Sequence, residues 1–131
     1  MTLPARKPDW LRVRLPSGPQ QEEFESIKAR FRGRSLHTVC EEARCPNRPE
    51  CWPRRAVTFM LLGDVCTRAC RFCAVASGEP SPPGSAEPGR VARAAAELSL
   101  SHVVLTSVTR DDLADGGSGQ FAETVRAIRA S

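Results

Sequence analysis

The spacing of apolar residues divides the chain into an N-terminal arm, one early helix and two strand–helix pairs. The arm covers residues 1–20 and contains four prolines, which favour an extended chain over a helix. We expect it to lie on the surface and to bury its partly alternating apolar residues, which are Trp10, Leu11, Val13 and Leu15. A helix is then predicted over residues 21–32, ending at Gly33, by apolar residues at helical spacing: Phe24, Ile27 and Phe31.

The second half of the chain predicts two successive βα units. Apolar runs predict strands over residues 57–62 and 102–108. The helix between them is predicted over residues 90–98, with one buried face made of Val91, Ala94, Ala95 and Leu98. A last helix follows, with an apolar face made of Phe121, Val125 and Ile128. Successive βα units form parallel sheets, so the predicted class is α/β, and the bare edge of the second strand indicates the first part of a larger (β/α) fold.

Six cysteines form two triplets, and each triplet lies within one short segment. Cys40, Cys45 and Cys51 have the spacing C-x4-C-x5-C, in a segment whose prolines predict an irregular loop. Cys66, Cys70 and Cys73 have the spacing C-x3-C-x2-C and directly follow the first predicted strand. Three thiolates on one loop can hold three corners of a cuboidal iron–sulfur cluster and leave the fourth iron open to a small molecule.

Other uses of the cysteines remain open at this point. Structural zinc usually takes two close pairs, whereas only Cys70 and Cys73 form such a pair here. Disulfides fit poorly, because the N-terminus lacks the apolar core of a signal peptide and we expect a cytoplasmic protein with reduced thiols. Two iron–sulfur clusters with three thiolates each account for all six residues. His37, just before the first triplet, is interpreted as a structural residue and not as a metal ligand.

Two polar loops are predicted to meet at one end of the sheet. The Cys66 loop follows the first strand, and the loop carrying Arg110, Asp111 and Asp112 follows the second. Ligands of parallel α/β sheets collect at the carboxyl ends of the strands. We therefore expect both loops to face one site.

The net charge of +4 comes almost entirely from arginine, with only Lys7 and Lys28 as lysines. This excess is interpreted first as a solvated surface and second as a surface for an acidic partner protein. Nucleic-acid binding is not expected, because no basic run is long or interleaved with aromatic residues. No segment approaches the roughly 20 apolar residues that span a bilayer, so no membrane association is expected.

The arrangement of motifs resembles the lipoyl synthase family of the radical S-adenosylmethionine superfamily. The C-x3-C-x2-C triplet with Phe72 before its last cysteine carries the superfamily resemblance. The family resemblance comes from the upstream CEEARCPNRPECW at 40–52 and from flanking segments. These segments are KPDWLRV at 7–13, LHTV at 36–39, TSVTRDDL at 106–113 and DGG at 115–117.

The resemblance implies two 4Fe–4S clusters. Cys66, Cys70 and Cys73 would hold a cluster whose open iron binds S-adenosylmethionine, and Cys40, Cys45 and Cys51 would hold an auxiliary cluster that is consumed as the sulfur source. Residues expected to contact S-adenosylmethionine or substrate are Phe72, Thr106, Ser107, Asp111 and Asp112. The first cluster would cleave S-adenosylmethionine to a radical, and two sulfur atoms would be inserted at C6 and C8 of a protein-bound octanoyl chain.

The partners that the resemblance implies are an octanoylated lipoyl carrier domain of a 2-oxoacid dehydrogenase or of the glycine cleavage system, and an electron donor of flavodoxin or ferredoxin type. The expected domains are an extension over 1–56 with the auxiliary cluster and a (β/α) barrel domain over 57–131. The implied fold is a partial (β/α)6 barrel of the TIM type, of which only two βα units are present. Arg129-Ala130-Ser131 is not the family's serine motif, which supplies a fourth ligand to the auxiliary cluster.

These departures lead us to expect a truncated copy of the enzyme, and the sequence gives weak support for activity of this chain by itself. A non-catalytic module that holds iron–sulfur clusters or zinc is the alternative.

Overall fold

The computed structural model describes residues 6–12 and 14–131. A 3-10 turn at Asp9–Leu11 precedes all other elements. The helices are α1 (Pro19–Arg32), α2 (Val39–Glu42), α3 (Arg48–Cys51), α4 (Glu87–Glu97) and α5 (Ser118–Arg129). The strands are β1 (His37–Thr38), β2 (Thr58–Leu61), β3 (Val65–Cys66), β4 (Ala76–Ser77) and β5 (Val104–Ser107).

The central sheet has the strand order β1-β2-β5. β2 and β5 are parallel, with Thr58 opposite Val104 and Leu61 opposite Ser107. Each of these two strands is followed by a helix, so the predicted pair of βα units and the α/β class are confirmed. β1 pairs antiparallel with the other edge of β2. This strand was not predicted, because two residues are too few to show a periodic pattern.

The core joins the early helix to the sheet. Phe24, Ile27 and Phe31 are buried on α1, as their spacing predicted. Phe31 packs edge-on against both Trp52 and Phe59 of β2, with ring centroids 5.2 and 5.8 Å apart. The predicted face of α4 is also buried, and its members are Val91, Ala94, Ala95 and Leu98. The helical spacing of apolar residues therefore correctly predicted the buried faces of α1 and α4.

The N-terminal arm does not bury its apolar residues. Trp10 and Leu15 are more than 80% exposed and Leu11 is 52% exposed, so this prediction is wrong; Val13 lies outside the described residues. Local contacts organise the segment instead. The Leu11 amide donates to the carbonyl of Pro8, and Arg12 forms an ion pair with Asp9 at 3.1 Å.

The first cysteine segment is more regular than predicted, since it contains the one-turn helices α2 and α3. The Thr38 side chain caps α2 by accepting the Glu41 amide at 3.1 Å. Pro49 lies in the first turn of α3, where its missing N–H removes no helical hydrogen bond. Pro49 therefore lies at the start of a helix and does not prevent it.

The last helix differs from prediction at one position. Val125 is at the exposed limit, with 36% of its surface accessible, whereas the neighbouring Thr124 is fully buried. The Thr124 hydroxyl donates to the carbonyl of Gln120 at 2.7 Å, which satisfies it without water. No helix among the described residues is long and apolar enough to cross a membrane.

A buried ionic junction follows β2 at Leu62, whose φ of +69° is unusual for a branched residue. The Leu62 amide donates to both carboxylate oxygens of Glu87 at 3.1 Å. Its carbonyl accepts from the Arg110 guanidinium at 3.2 Å, and Arg110 also binds both carboxylate oxygens of Asp112. This junction ties the end of β2 to the start of α4 and to the loop after β5.

Gly117→Ala is expected to destabilise the protein by about 2 kcal/mol, because two penalties combine. Gly117 has φ +96°, and an added Cβ would collide with the Cδ1 atom of buried Leu62. Gly89→Ala is the control: Gly89 lies in α4 with open space around it, so alanine should stabilise by about 0.5–1 kcal/mol. Urea unfolding of both variants measures the difference, and equal effects would contradict the explanation.

Candidate functional site

The second cysteine triplet lies in a loop that is closed at its base by paired strands. β3 ends at Cys66 and pairs in parallel with β4, which follows the loop. This pairing places Cys66 opposite Ser77. The Ser77 hydroxyl donates to the carbonyl of Arg68 at 3.1 Å, and the Cys73 amide donates to that of Cys70 at 3.1 Å. Cys70 and Cys73 are exposed, whereas Cys66 is partly buried against the core. The loop thus presents two open thiols and one anchored thiol.

The anchored thiol is surrounded by hydrogen-bond donors. The Cys66 Sγ accepts the backbone N–H of Arg68 at 3.4 Å and that of Thr109 at 3.3 Å. Burial raises the pKa of the Cys66 thiol, but these two N–H donors and the charge of Arg68 together bring the pKa below its usual range. Cys66 is therefore biased toward the thiolate, the form that binds metal.

The loops after β2 and β5 meet, as expected for the carboxyl ends of parallel strands. The Arg68 guanidinium binds both carboxylate oxygens of Asp111, at 2.9 and 3.0 Å. The Thr67 amide donates to the carbonyl of Thr109 at 3.1 Å. Because of the hydrogen bond that Arg68 donates, and then that of Thr67, the pKa of Asp111 is lowered, so the ion pair persists at neutral pH.

The first triplet is carried by α2, α3 and the turn between them. The Cys45 amide donates to the carbonyl of Cys40 at 3.1 Å, and Cys51 ends α3. Burial raises the pKa of the Cys51 thiol, and the negative charges of Cys45 and Cys40 raise it further. Negative charge on Cys40 and Cys45 therefore opposes ionisation of Cys51, and a bound cation would relieve that opposition.

The spacing of the sulfurs bears on which metal group fits. In a tetrahedral zinc site with Zn–S bonds near 2.3 Å, the sulfurs lie about 3.8 Å apart. Within the described part of the chain, no cysteine triplet has all three sulfurs within 4.8 Å of one another. A cuboidal cluster binds each thiolate through a different iron and therefore needs wider spacing. All six thiols are free and at least partly exposed, so each triplet offers three soft ligands to a metal group.

One polar grouping was not predicted. His37 Nδ1 lies 3.7 Å from a carboxylate oxygen of Glu42. His37, Glu42 and Asp64 form a group whose possible metal-ligand atoms all lie within 4.8 Å of one another. The contact with Glu42 gives His37 a side-chain partner, and its expected structural role stays a prediction. Asp64 lies far along the sequence, so only the fold brings it to this pair.

The residues expected to contact a cofactor have different surroundings. The Phe72 ring is 93% exposed, and Thr106 and Ser107 are half-buried at the end of β5. Ser107 and Asp111 line a shallow cleft of about 400 Å³ beside the loop. Asp112 is instead held by Arg110, whose hydrogen bonds lower the pKa of that carboxyl. Sequence reasoning missed Thr67, Arg68 and Thr109, although the first two lie between the cysteines.

A family comparison first defines the class of protein. Residues 2–45 match the family model described as the N-terminal domain of lipoyl synthase of the radical SAM family. That segment includes Cys40 and Cys45, and the three-thiol loop lies further along the chain. The match and the loop together indicate a radical S-adenosylmethionine protein.

Curated relatives named lipoyl synthase are similar to nearly the whole chain. A lipoyl synthase of Symbiobacterium thermophilum is 60% identical over 125 residues, covering 95% of this chain and 38% of the relative. Lipoyl synthases of Halalkalibacterium halodurans and Shouchella clausii are 56% and 55% identical, each over 95% of this chain and 40% of the relative. Over nearly its whole length the chain is similar to the N-terminal portion of these lipoyl synthases. It spans about two fifths of the length of these relatives.

Proposed function

We propose that this chain carries the two cluster sites of a lipoyl synthase, an enzyme that inserts two sulfur atoms at C6 and C8 of a protein-bound octanoyl chain. The observation that carries the proposal is the pair of separate triplets of free thiols, each gathered in one short segment of the chain. The relatives named lipoyl synthase support the same function.

The second triplet would hold the cluster that binds S-adenosylmethionine. Cys66, Cys70 and Cys73 would bind three irons, and Cys66 is already biased toward the thiolate. When bound, this cluster supplies the electron that cleaves S-adenosylmethionine to methionine and a 5′-deoxyadenosyl radical. Ser107 and Asp111 line the adjoining cleft and are the proposed contacts for the methionine part or for substrate.

The other proposed contacts of this site differ in exposure and in hydrogen bonding, and they are Phe72, Thr106 and Asp112. Phe72 is exposed and would lie near the adenine, mostly through its backbone. Thr106 precedes Ser107 on β5 and would support this wall of the cleft. Asp112 would act through Arg110, since both of its carboxylate oxygens accept hydrogen bonds from that side chain.

The first triplet would hold the auxiliary cluster, whose sulfur is consumed in the reaction. Cys40, Cys45 and Cys51 would be its ligands from this segment. Arg48 donates to the carbonyl of Cys45 at 3.2 Å and lies 3.8 Å from Glu41, so these charges stabilise the turn between the ligands. An aliphatic C–H bond offers no acidic proton, which is why a radical and a separate sulfur donor are required.

The proposed architecture is a partial (β/α)6 barrel. Parallel β2 and β5, each followed by a helix, support it, because a barrel of this type is built by repeating that unit. The proposed division is an extension over residues 1–56 and a barrel segment over 57–131. The proposed cytoplasmic location suits thiols that must stay reduced.

The proposed partners are the octanoylated carrier domain and a flavodoxin- or ferredoxin-type electron donor. The net charge of +4 supports acidic partners, since opposite charge speeds association. Neither nucleic acid nor a membrane enters the proposal.

A chimera tests the proposed function. This chain replaces the corresponding segment of the 60%-identical relative, and the purified protein is given S-adenosylmethionine, a reductant and an octanoylated carrier peptide under anaerobic conditions. We expect 5′-deoxyadenosine and a lipoylated peptide, both measured by mass spectrometry.

Two variants of the chimera separate the cluster roles. Cys45→Ala should retain 5′-deoxyadenosine formation and lose the lipoyl product, whereas Cys70→Ala should lose both. A chimera that folds and binds iron as the parent does, yet makes no lipoyl product, would contradict the proposal.

A further inference from the structure

Thr67 links the cysteine loop to the loop after β5 through both its backbone and its side chain. Its hydroxyl lies 3.0 Å from the Thr109 carbonyl and 3.0 Å from Asp111 Oδ2, and either oxygen can accept its single hydrogen. The same hydroxyl accepts the backbone N–H of Asp111 at 3.2 Å. One small side chain thus serves as donor and acceptor at the junction of the two loops.

Both hydrogen bonds to the Cys66 sulfur depend on this junction. One donor is the backbone N–H of Arg68, the residue after Thr67, and Arg68 is held at its other end by Asp111. The other donor is the backbone N–H of Thr109, whose carbonyl lies against Thr67. Displacing the Thr67 hydroxyl would therefore disturb both donors at once.

We propose that Thr67, acting with Asp111, is a positioning residue that sets the two N–H···S hydrogen bonds of Cys66 and through them the reduction potential of the cluster held by the second triplet. This inference rests on the proposed function. Hydrogen bonds to a ligating sulfur stabilise the reduced, more negative cluster and raise its potential. Weaker hydrogen bonds should lower it.

Substituting Thr67 separates the effect of the N–H···S hydrogen bonds on the reduction potential from the effect of a change in charge. Asp111→Asn would remove a negative charge near the cluster, which by itself raises the potential and opposes the loss of hydrogen bonds. Thr67→Val changes no charge and keeps the branched shape, so any change in potential reports the hydroxyl. Thr67→Ser keeps the hydroxyl and should restore the wild-type behaviour.

The first test uses the metal-free protein and measures backbone amide hydrogen exchange by NMR under reducing conditions. In Thr67→Val, the amides of Arg68 and Thr109 should exchange about fivefold faster, the change expected from one net hydrogen bond. Thr67→Ser should match the wild type. Asp115→Asn is the control, because Asp115 accepts the amides of Gly117 and Gly119 at the far end of the same loop. Unchanged exchange in Thr67→Val overturns the inference and leaves the proposed function standing.

The second test measures the potential of the cluster in the reconstituted chain by a redox titration followed by electron paramagnetic resonance. The relevant signal is the one altered by Cys70→Ser and not by Cys45→Ser. Thr67→Val should shift its midpoint to more negative values, and the charge-neutral Thr67→Ser should leave it unchanged. An unshifted or more positive midpoint in Thr67→Val overturns the inference. A wild-type chain that assembles no such cluster contradicts the proposed function, and the inference with it.

Discussion

Replacing Trp52 by alanine is expected to lower the free energy of unfolding by about 3–5 kcal/mol, the usual cost of deleting a buried aromatic side chain. Trp52 is fully buried, and its ring lies 5.3 Å from Phe24 and 5.2 Å from Phe31. It also directly follows Cys51, a ligand of the proposed auxiliary cluster. Since domains of this size have only about 5–15 kcal/mol of stability, the loss would be a large fraction of the total.

Trp52→Phe is the matched control and should cost only about 1–2 kcal/mol. The buried indole Nε1 has no hydrogen-bond partner in the part of the chain that the structure describes, so the phenylalanine variant breaks no polar contact. Urea unfolding of the metal-free protein, followed by circular dichroism, measures both variants. Equal costs for Phe and Ala would show that ring packing does not account for the contribution of Trp52.

Replacing Arg110 by alanine is expected to cost about 2–3 kcal/mol. The Arg110 side chain is only 1% exposed, and it satisfies both carboxylate oxygens of Asp112 and the carbonyl of Leu62. Its removal leaves that carbonyl without its donor beside the buried Glu87. The carboxylate of Asp112 can recover water, because it is 37% exposed, which keeps the cost below that of a fully buried charge.

Arg126→Ala provides the comparison for Arg110. Arg126 forms an ion pair of 2.6 Å with Glu123, but its side chain is 71% exposed. Exposed pairs contribute little, so urea unfolding should barely change. If the two arginine variants unfold at the same urea concentration, burial of Arg110 is not the reason for its effect.

The elements that could be predicted from sequence are those in which a periodic apolar face meets the core. The helical spacing of buried apolar residues predicts α1, through Phe24, Ile27 and Phe31. The alanine-rich face of α4 is predicted in the same way, because its buried residues also recur with a helical period. The two parallel strands are likewise visible as apolar runs. Apolar periodicity does not predict the burial of a polar residue whose hydrogen bond is made within its own helix, as Thr124 does with the Gln120 carbonyl.

Other features depend on long-range or local polar contacts that no pattern reveals. Trp10 and Leu15 of the arm are apolar residues of the kind that pack in a core, yet both are more than 80% exposed. Arg110 belongs to a polar loop in sequence and becomes buried only because it reaches the carbonyl of Leu62.

For the candidate site, cysteine spacing predicts two sets of three ligands, and these sets stay a prediction. It could not predict the two N–H donors to Cys66, because one of them, the amide of Thr109, comes from a loop 43 residues away.

The central claim is that the two triplets each hold one cluster, and iron stoichiometry tests it most directly. After anaerobic reconstitution with iron and sulfide, the chain should contain roughly eight irons and eight sulfides, because each 4Fe–4S cluster holds four of each. The Cys40→Ala/Cys45→Ala/Cys51→Ala variant should lose half of the iron and keep the visible absorbance of one cluster. Stoichiometric zinc without visible absorbance, or a variant that keeps all its iron, would contradict the account.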